Sequence, residues 1–466
     1  MGTLLAARLQ MEVSLAFHMI FAALGIGLPL LMVIAEGLAL RTGREHYRAL
    51  ARKWAKATAL TFAVGAVSGT ALSFELGLLW PRFMALAGGV LGPAFALEGY
   101  AFFIEAIFLG LYLYGWDRIS PRAHWLTGIA VAISGMMSGV LVVAANAWMQ
   151  VPGGFTAEGL RLVDASPFAV FQTPAWFHMA LHSTLSCYIA TGFAVAGVYA
   201  MGLLRGRNDA YHRSGIGLAL ALGTVAAVLQ PLSGDLSARS VAEYQPLKLA
   251  AAEAHFETSS HVPLLIGGIP DEETGEVRYA IRIPSGLSLL VGHDPATVIV
   301  GLNDHPRELW PPVLITHVAF QIMVGLGFFM IAVGGLFWLW RWRRGTAPRW
   351  LLAGVLAAAP AGFIALEAGW IVTEVGRQPW VIYEVMRTAE GVTPIAKVPW
   401  TLFGFSVLYL VLGTALVFLL RALAHRPPRM VATQGPPAGG NLGAALRDAN
   451  AAPRRDADPR EEHDER

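Results

Sequence analysis

Cysteine is nearly absent from this chain: Cys187 is the single one in 466 residues. Its scarcity excludes an internal disulfide framework, a cysteine-rich metal cluster and covalent attachment of a cofactor through Cys-x-x-Cys-His, so any redox cofactor is held noncovalently. Charge is scarce as well, with 14% charged residues against 55% hydrophobic ones and a mean hydropathy of +0.53. A soluble domain of this length could not hide so much apolar surface, and an all-α, polytopic membrane protein is expected. The net charge of +2 is uninformative, and no nucleic-acid partner is expected. The N-terminus lacks a basic segment followed by a small-residue cleavage site, so the first apolar run reads as a retained span. No internal repeat is evident, which weighs against an inverted-repeat transporter. No adjacent His-His pair offers itself to a copper site, which weighs against a haem-copper oxidase.

What is present in abundance is long apolar runs. Counting stretches of roughly 20 residues gives spans near 13–40, 58–79, 95–114, 125–148, 176–204, 215–232, 313–339, 350–372 and 400–420. That makes about nine transmembrane helices. Basic residues cluster on alternate connections: Arg41, Arg44, Arg48, Arg52, Lys53 and Lys56 after the first span, Arg118 and Arg122 after the third, Arg205, Arg207 and Arg213 after the fifth, and Arg341, Arg343, Arg344 and Arg349 after the seventh. The positive-inside rule puts these in the cytoplasm, the N-terminus outside and the C-terminus inside, in agreement with Arg421, Arg426 and Arg429. The expected organisation is six helices over 1–232, a long extracytoplasmic loop over 233–312, three helices over 313–424 and a disordered cytoplasmic tail over 425–466. A loop of that length is usually functional.

The most informative run is Glu374-Val375-Gly376-Arg377-Gln378-Pro379-Trp380, which closes the eighth apolar stretch. A carboxylate and a guanidinium at the mouth of a membrane helix are costly unless each has a strong partner, such as a metal or an anion. Other ligand-capable residues gather at the same outer level. His18 lies near the outer end of the first span, His178 and His182 sit an i, i+4 step apart at the start of the fifth, and Met323 falls roughly 15 Å into the seventh. Neutral imidazole and thioether are good axial ligands of haem iron, and a His/Met pair suits an electron-transfer haem. Each residue also has a plainer use. A membrane histidine can bridge helices, methionine is a common gap filler, and His178 is left as structural or supporting. Glu98 and Glu105 share one face of the third helix, and buried acids in lipid usually belong to proton or ion paths.

The chain resembles subunit I of the cytochrome bd-type quinol oxidases over nearly its whole length. The resemblance rests on Gly65 with Gly69, Leu97-Glu98-Gly99, Gly115-Trp116-Asp117-Arg118, Asn146-Ala147-Trp148-Met149-Gln150, Gly234-Asp235, Lys248 through Glu253, Gly268-Ile269-Pro270, Phe320-Gln321-Ile322-Met323 and Glu374 through Trp380. It implies that His182 and Met323 hold a low-spin haem b, and that His18 and Glu374 each ligate one of two further haems, a high-spin haem b and either a haem d or another haem b. Arg377 fits a haem propionate, for which its fork is suited. Glu98 and Glu105 look like proton-path or haem-pair carboxylates. Lys248 and Glu253 match positions implicated in quinol oxidation, with Asp235 a weaker candidate; without the resemblance they read as an exposed i, i+5 pair.

The implied activity is oxidation of ubiquinol or menaquinol at the outer face and reduction of oxygen to water, making a proton gradient without pumping. The implied setting is the bacterial inner membrane, beside a second multi-span subunit and a small single-helix one. Two departures stand out. The outer loop is short, as in the branch that includes cyanide-insensitive oxidases, and Gln321 stands where other members carry arginine, which should lower the potential of the low-spin haem. A membrane electron conduit that does not reduce oxygen would need His182 and Met323 but not His18 and Glu374. A solute channel using Glu98 and Glu105 would have no use for the Glu374 to Trp380 run.

Overall fold

The computed structural model describes residues 2–157 and 162–425. Among them, nine helices are long and apolar enough to cross a membrane, the number expected from the apolar runs. The helices outrun those stretches because backbone groups near the interface still need partners, and a continued helix supplies them. α1 (Thr3–Thr42), α2 (Glu45–Leu79), α3 (Pro81–Gly115) and α4 (Pro121–Gln150) form the first half. A two-stranded pair, β1 (Thr156–Ala157) and β2 (Leu162–Val163), precedes α5 (Trp176–Leu204) and α6 (Ala210–Tyr244). The sixth helix therefore carries the first residues of the expected 233–312 loop as further turns.

The loop proper opens with α7 (Pro246–Glu253), whose proline takes the first helical position, where the missing N–H costs nothing. β3 (Leu264–Ile266) pairs antiparallel with β6 (Ile281–Ile283), and β4 (Ile269–Asp271) with β5 (Glu276–Arg278), one hairpin nested within the other. Asp271 accepts from the Glu273 and Thr274 amides and sets the inner turn. α8 (Gly286–Gly292) closes the loop before α9 (Val313–Arg344). The eighth span is two helices, α10 (Arg349–Ala358) and α11 (Ala361–Val375). Pro360 breaks it, because its ring removes an N–H and crowds the preceding turn. β7 (Trp380–Ile382), β8 (Met386–Arg387), α12 (Thr388–Gly391) and α13 (Val398–His425) complete the described chain. The expected tail lies outside the described residues apart from His425, and so do Arg426 and Arg429.

Successive helices pack as hairpins, α1 with α2, α3 with α4 and α5 with α6. At the α5–α6 crossing a Cβ on Gly192 would lie 2.5 Å from the Gly223 amide nitrogen, so only glycine permits this backbone approach. Leu31, Met32, Leu50, Phe193, Leu220 and Phe337 fill the central core. Phe103, Tyr114, Trp400, Leu410 and Phe418 point outward, as suits a lipid or partner surface. The basic turns share one end of the bundle: Arg349 donates to the Leu204 carbonyl at 3.2 Å and Lys53 to that of Ala424 at 3.4 Å. There Arg48 and Arg52 pair with Asp117, and both guanidiniums lie over the Trp116 ring.

Candidate functional site

At the opposite end, serine hydroxyls set the state of the imidazoles. Ser68 donates to the Gly65 carbonyl at 3.1 Å, so toward His18 Nδ1, 2.9 Å away, it can only accept. Ser233 does the same on α6, donating to the Gln230 carbonyl at 2.9 Å and accepting from His182 Nδ1 at 2.9 Å. With the hydroxyl hydrogens on those carbonyls, each serine would favour the Nδ1–H tautomer, which leaves Nε2 as the lone pair a metal requires. His178 has the same arrangement with Ser237, and its Nε2 is buried without a partner among the described residues.

Backbone clearance accompanies these side chains. A Cβ on Gly69 would lie 3.0 Å from His18 Cε1, one on Gly234 3.7 Å from His182 Cε1, and one on Gly369 3.0 Å from Met323 Sδ. His182 on α5 and Met323 on α9 both belong to helices packed against α6 and α11. α11, near whose end Glu374 lies, also packs against α1, which carries His18.

Glu374 is held from both sides. Asn146 Nδ2 donates to Oε1 at 2.6 Å, and Arg377 Nη2 donates to Oε2 at 2.5 Å. Arg377 itself is 2% exposed, and its Nε and Nη1 have no partner among the described residues. A buried guanidinium with idle N–H groups is expensive, and an anionic ligand such as a haem propionate would supply what it lacks. The donor set, neutral imidazoles, a thioether, a carboxylate and a waiting guanidinium, thus fits haem.

The loop contributes two titratable groups that are not the exposed pair plain spacing suggests. Lys248 and Glu253 on α7 are 6% and 2% exposed. Lys248 Nζ donates to Gln150 Oε1. Burial, with the Arg377 charge beside it, drives the Lys248 amine well below its ordinary value, against the pull of Glu374. Glu253 Oε2 has no partner among the described residues, and burial pushes its carboxyl up to about 8. Asp235, the weaker candidate, pairs with Arg239 one turn on along α6. A cavity of about 290 Å³ opens beside Gln150, walled also by Tyr244 and Tyr383.

α9 docks this loop through residues that apolar periodicity does not reveal. His317, fully buried, sets Nδ1 2.8 Å from the Ala252 carbonyl and Nε2 3.2 Å from that of Gly267. One turn later Gln321 donates to the Leu265 carbonyl at 3.1 Å and accepts from the Gly267 amide at 2.9 Å. Gln321 is thus a clasp on the loop.

Below this layer, α3 carries two acids that face α4. Ser138 donates to Glu98 at 3.2 Å, and Glu105, 5% exposed, sits against Gly135, whose Cβ would lie 3.1 Å from Oε1. Nearer the basic end, Glu36 and His124 form a buried pair at 2.6 Å. Nothing in the apolar pattern marks that pair.

The family described as cytochrome bd terminal oxidase subunit I matches residues 6–428. A protein of Bacillus subtilis (strain 168) described as a candidate cytochrome bd menaquinol oxidase subunit I is 39% identical over 92% of this chain and 98% of its own length. The cytochrome bd ubiquinol oxidase subunit 1 of the same organism is 33% identical over 90% of this chain and 93% of its own. Among solved structures, the bd oxidase from Geobacillus thermodenitrificans matches with a TM-score of 0.88 and 41% identity, over 92% of this chain and 99% of that one.

Proposed function

The chain belongs to the cytochrome bd terminal oxidase subunit I family, and from that membership we propose a division of labour among its residues. It is a subunit of a quinol:oxygen oxidoreductase, a haem-containing multi-pass protein of the bacterial inner membrane that works with a second subunit. His182 and Met323 hold a low-spin haem b, and His18 and Glu374 each hold one of the remaining two, a high-spin haem b and a haem d or third haem b. Haem bound at these sites would supply one-electron transfer and oxygen reduction. The observation that carries the ligand assignment is Arg377, buried beside Glu374 with idle donors that a propionate completes.

Around those sites the protein moves protons. Quinol loses two protons with its two electrons, so its site needs a base near the surface. Glu253 serves, because its raised value makes the deprotonated carboxylate a strong base and its place in the loop, residues 233–312, lets it pass the proton outward. Lys248 binds and orients the quinol oxygen. Protons for water enter from the basic, cytoplasmic end and climb past Glu105 and Glu98 along α3. Release at one end and uptake from the other separate charge without a pump. Gln321, a neutral side chain on the turn before Met323, leaves the low-spin haem at a lower potential than an arginine there would.

The second, multi-span subunit covers part of the outward apolar surface, with a small single-helix subunit beside it. An electron conduit without oxygen reduction is not favoured by the family relationship. The test is oxygen consumption by the purified complex with ubiquinol and menaquinol analogues, joined to a reduced minus oxidised spectrum. Quinol-dependent uptake with a chlorin band in the red assigns haem d, uptake with haem b bands alone assigns a third haem b, and no uptake with either quinol overturns the reading.

A further inference from the structure

The run Asn146-Ala147-Trp148-Met149-Gln150 has no task in the mechanism above, yet its two amides lie between the loop and Glu374. Gln150, the last residue of α4, is 4% exposed. Its Oε1 accepts from Lys248 Nζ, and its Nε2 donates to Asn146 Oδ1 at 3.4 Å and to the Thr373 carbonyl at 3.3 Å. Its backbone carbonyl accepts from Gln245 at 2.7 Å, where α7 begins. One turn back, Asn146 passes its own amide hydrogen to Glu374 Oε1.

The order of these bonds is directional. A primary amide has an acceptor oxygen and a donor nitrogen, and both amides here turn the oxygen toward Lys248 and the nitrogen toward Glu374. Reversing Gln150 would set an NH2 against the lysine amine, and reversing Asn146 would set an oxygen against a carboxylate. The cation-capable end and the carboxylate end thus fix one orientation, and aligned hydrogen bonds polarise and strengthen one another.

We infer that Gln150 is a positioning residue that couples the loop helix to Glu374, so that occupation of the quinol site changes the haem held at Glu374. By reciprocity, the state of that haem alters quinol affinity. The inference rests on the reading that Glu374 holds a haem and Lys248 serves quinol.

Gln150 can be cut at either end. Gln150→Leu removes all three side-chain bonds, Gln150→Glu still accepts from Lys248 but as a carboxylate cannot donate to Asn146 or to the Thr373 carbonyl, and Asn146→Leu breaks the Glu374 end while leaving Gln150 bonded to Lys248 and Thr373. Each is made in the intact oxidase complex, with KM and kcat for quinol and the midpoint potential and absorption of each haem as readouts. Gln150→Leu should raise KM about tenfold, the scale of one hydrogen bond to a charged group. It should also shift the Glu374-side haem by about 59 mV, a tenfold change in a one-electron equilibrium. Gln150→Glu should hold KM within about twofold yet show the haem shift, and Asn146→Leu should show the haem shift alone. Haem potentials unmoved in both Gln150 variants overturn the coupling, as does a shift in Asn146→Leu that neither Gln150 variant shares. Should Gln150→Leu fail to assemble, the near-isosteric Gln150→Glu decides by itself. Glu374→Ala separates haem ligation from the coupling. If it keeps every haem, the underlying reading fails; if it loses one while the Gln150 variants stay silent, the coupling alone fails.

Discussion

The surroundings of His182 and Met323 and those of Glu374 are built from opposite chemistry. The first pair is neutral, backed by a serine hydroxyl and bare glycine backbone at Gly234 and Gly369. Glu374 sits among Asn146 and Arg377, with Lys248 one amide farther on. On the proposed assignment the neutral pair would hold an electron-transfer haem, and Glu374 one of the two haems that serve oxygen reduction. If those residues hold haems as proposed, one bundle would run two kinds of haem chemistry by what stands behind each ligand.

The contrast breaks most completely on the charged side. Glu374→Ala should remove one haem and cut quinol-dependent oxygen uptake by more than about 100-fold, since even losing a supporting residue of a metal ligand costs 10- to 100-fold. Haem extraction and an oxygen electrode check it. The next largest effect is at Glu253. Its carboxyl stays protonated to about 8, so kcat/KM for quinol should rise with pH through that value. Glu253→Gln should flatten the rise and lower kcat by about 10²- to 10⁴-fold, the range of general-base catalysis, in a pH–rate profile. The linked stability has the opposite sign: the folded state keeps a proton that the unfolded chain releases near pH 4.5, so this group's contribution falls as pH rises from there to about 8. A thermal melt of Glu253→Gln should lack that fall.

On the neutral side the effects are smaller. Ser233→Ala frees the His182 tautomer and should weaken retention of the low-spin haem about tenfold, read by haem loss to an apoprotein acceptor, with the Glu374-side bands unmoved. Gly369→Ala places a methyl 3.0 Å from Met323 Sδ. It should shift the low-spin band and cost about 1–3 kcal/mol of overpacking in a melt.

The nine spans and the basic turns between them were legible because apolar run length and clustered charge mark them directly. Lateral neighbours were not. Ser68, Ser233, Asn146 and Gln150 are ordinary polar residues in sequence, and only helix pairing shows what each faces. Lys248 and Glu253 read as exposed by spacing alone, because burial of α7 depends on His317 and Gln321 clasping the strands that follow it. The inner Glu36–His124 pair escaped notice for the same reason: its members stand far apart in sequence on α1 and α4.

The central claim, that three haems rest on separately built ligand sites, is tested most directly by quantitative haem extraction with reduced minus oxidised spectra on the wild-type complex, His182→Ala and Glu374→Ala. Three haems are expected in the wild type, and loss of one in each variant with a different band disappearing. Fewer than three haems in the wild type, or a full complement in either assembled variant, would contradict it.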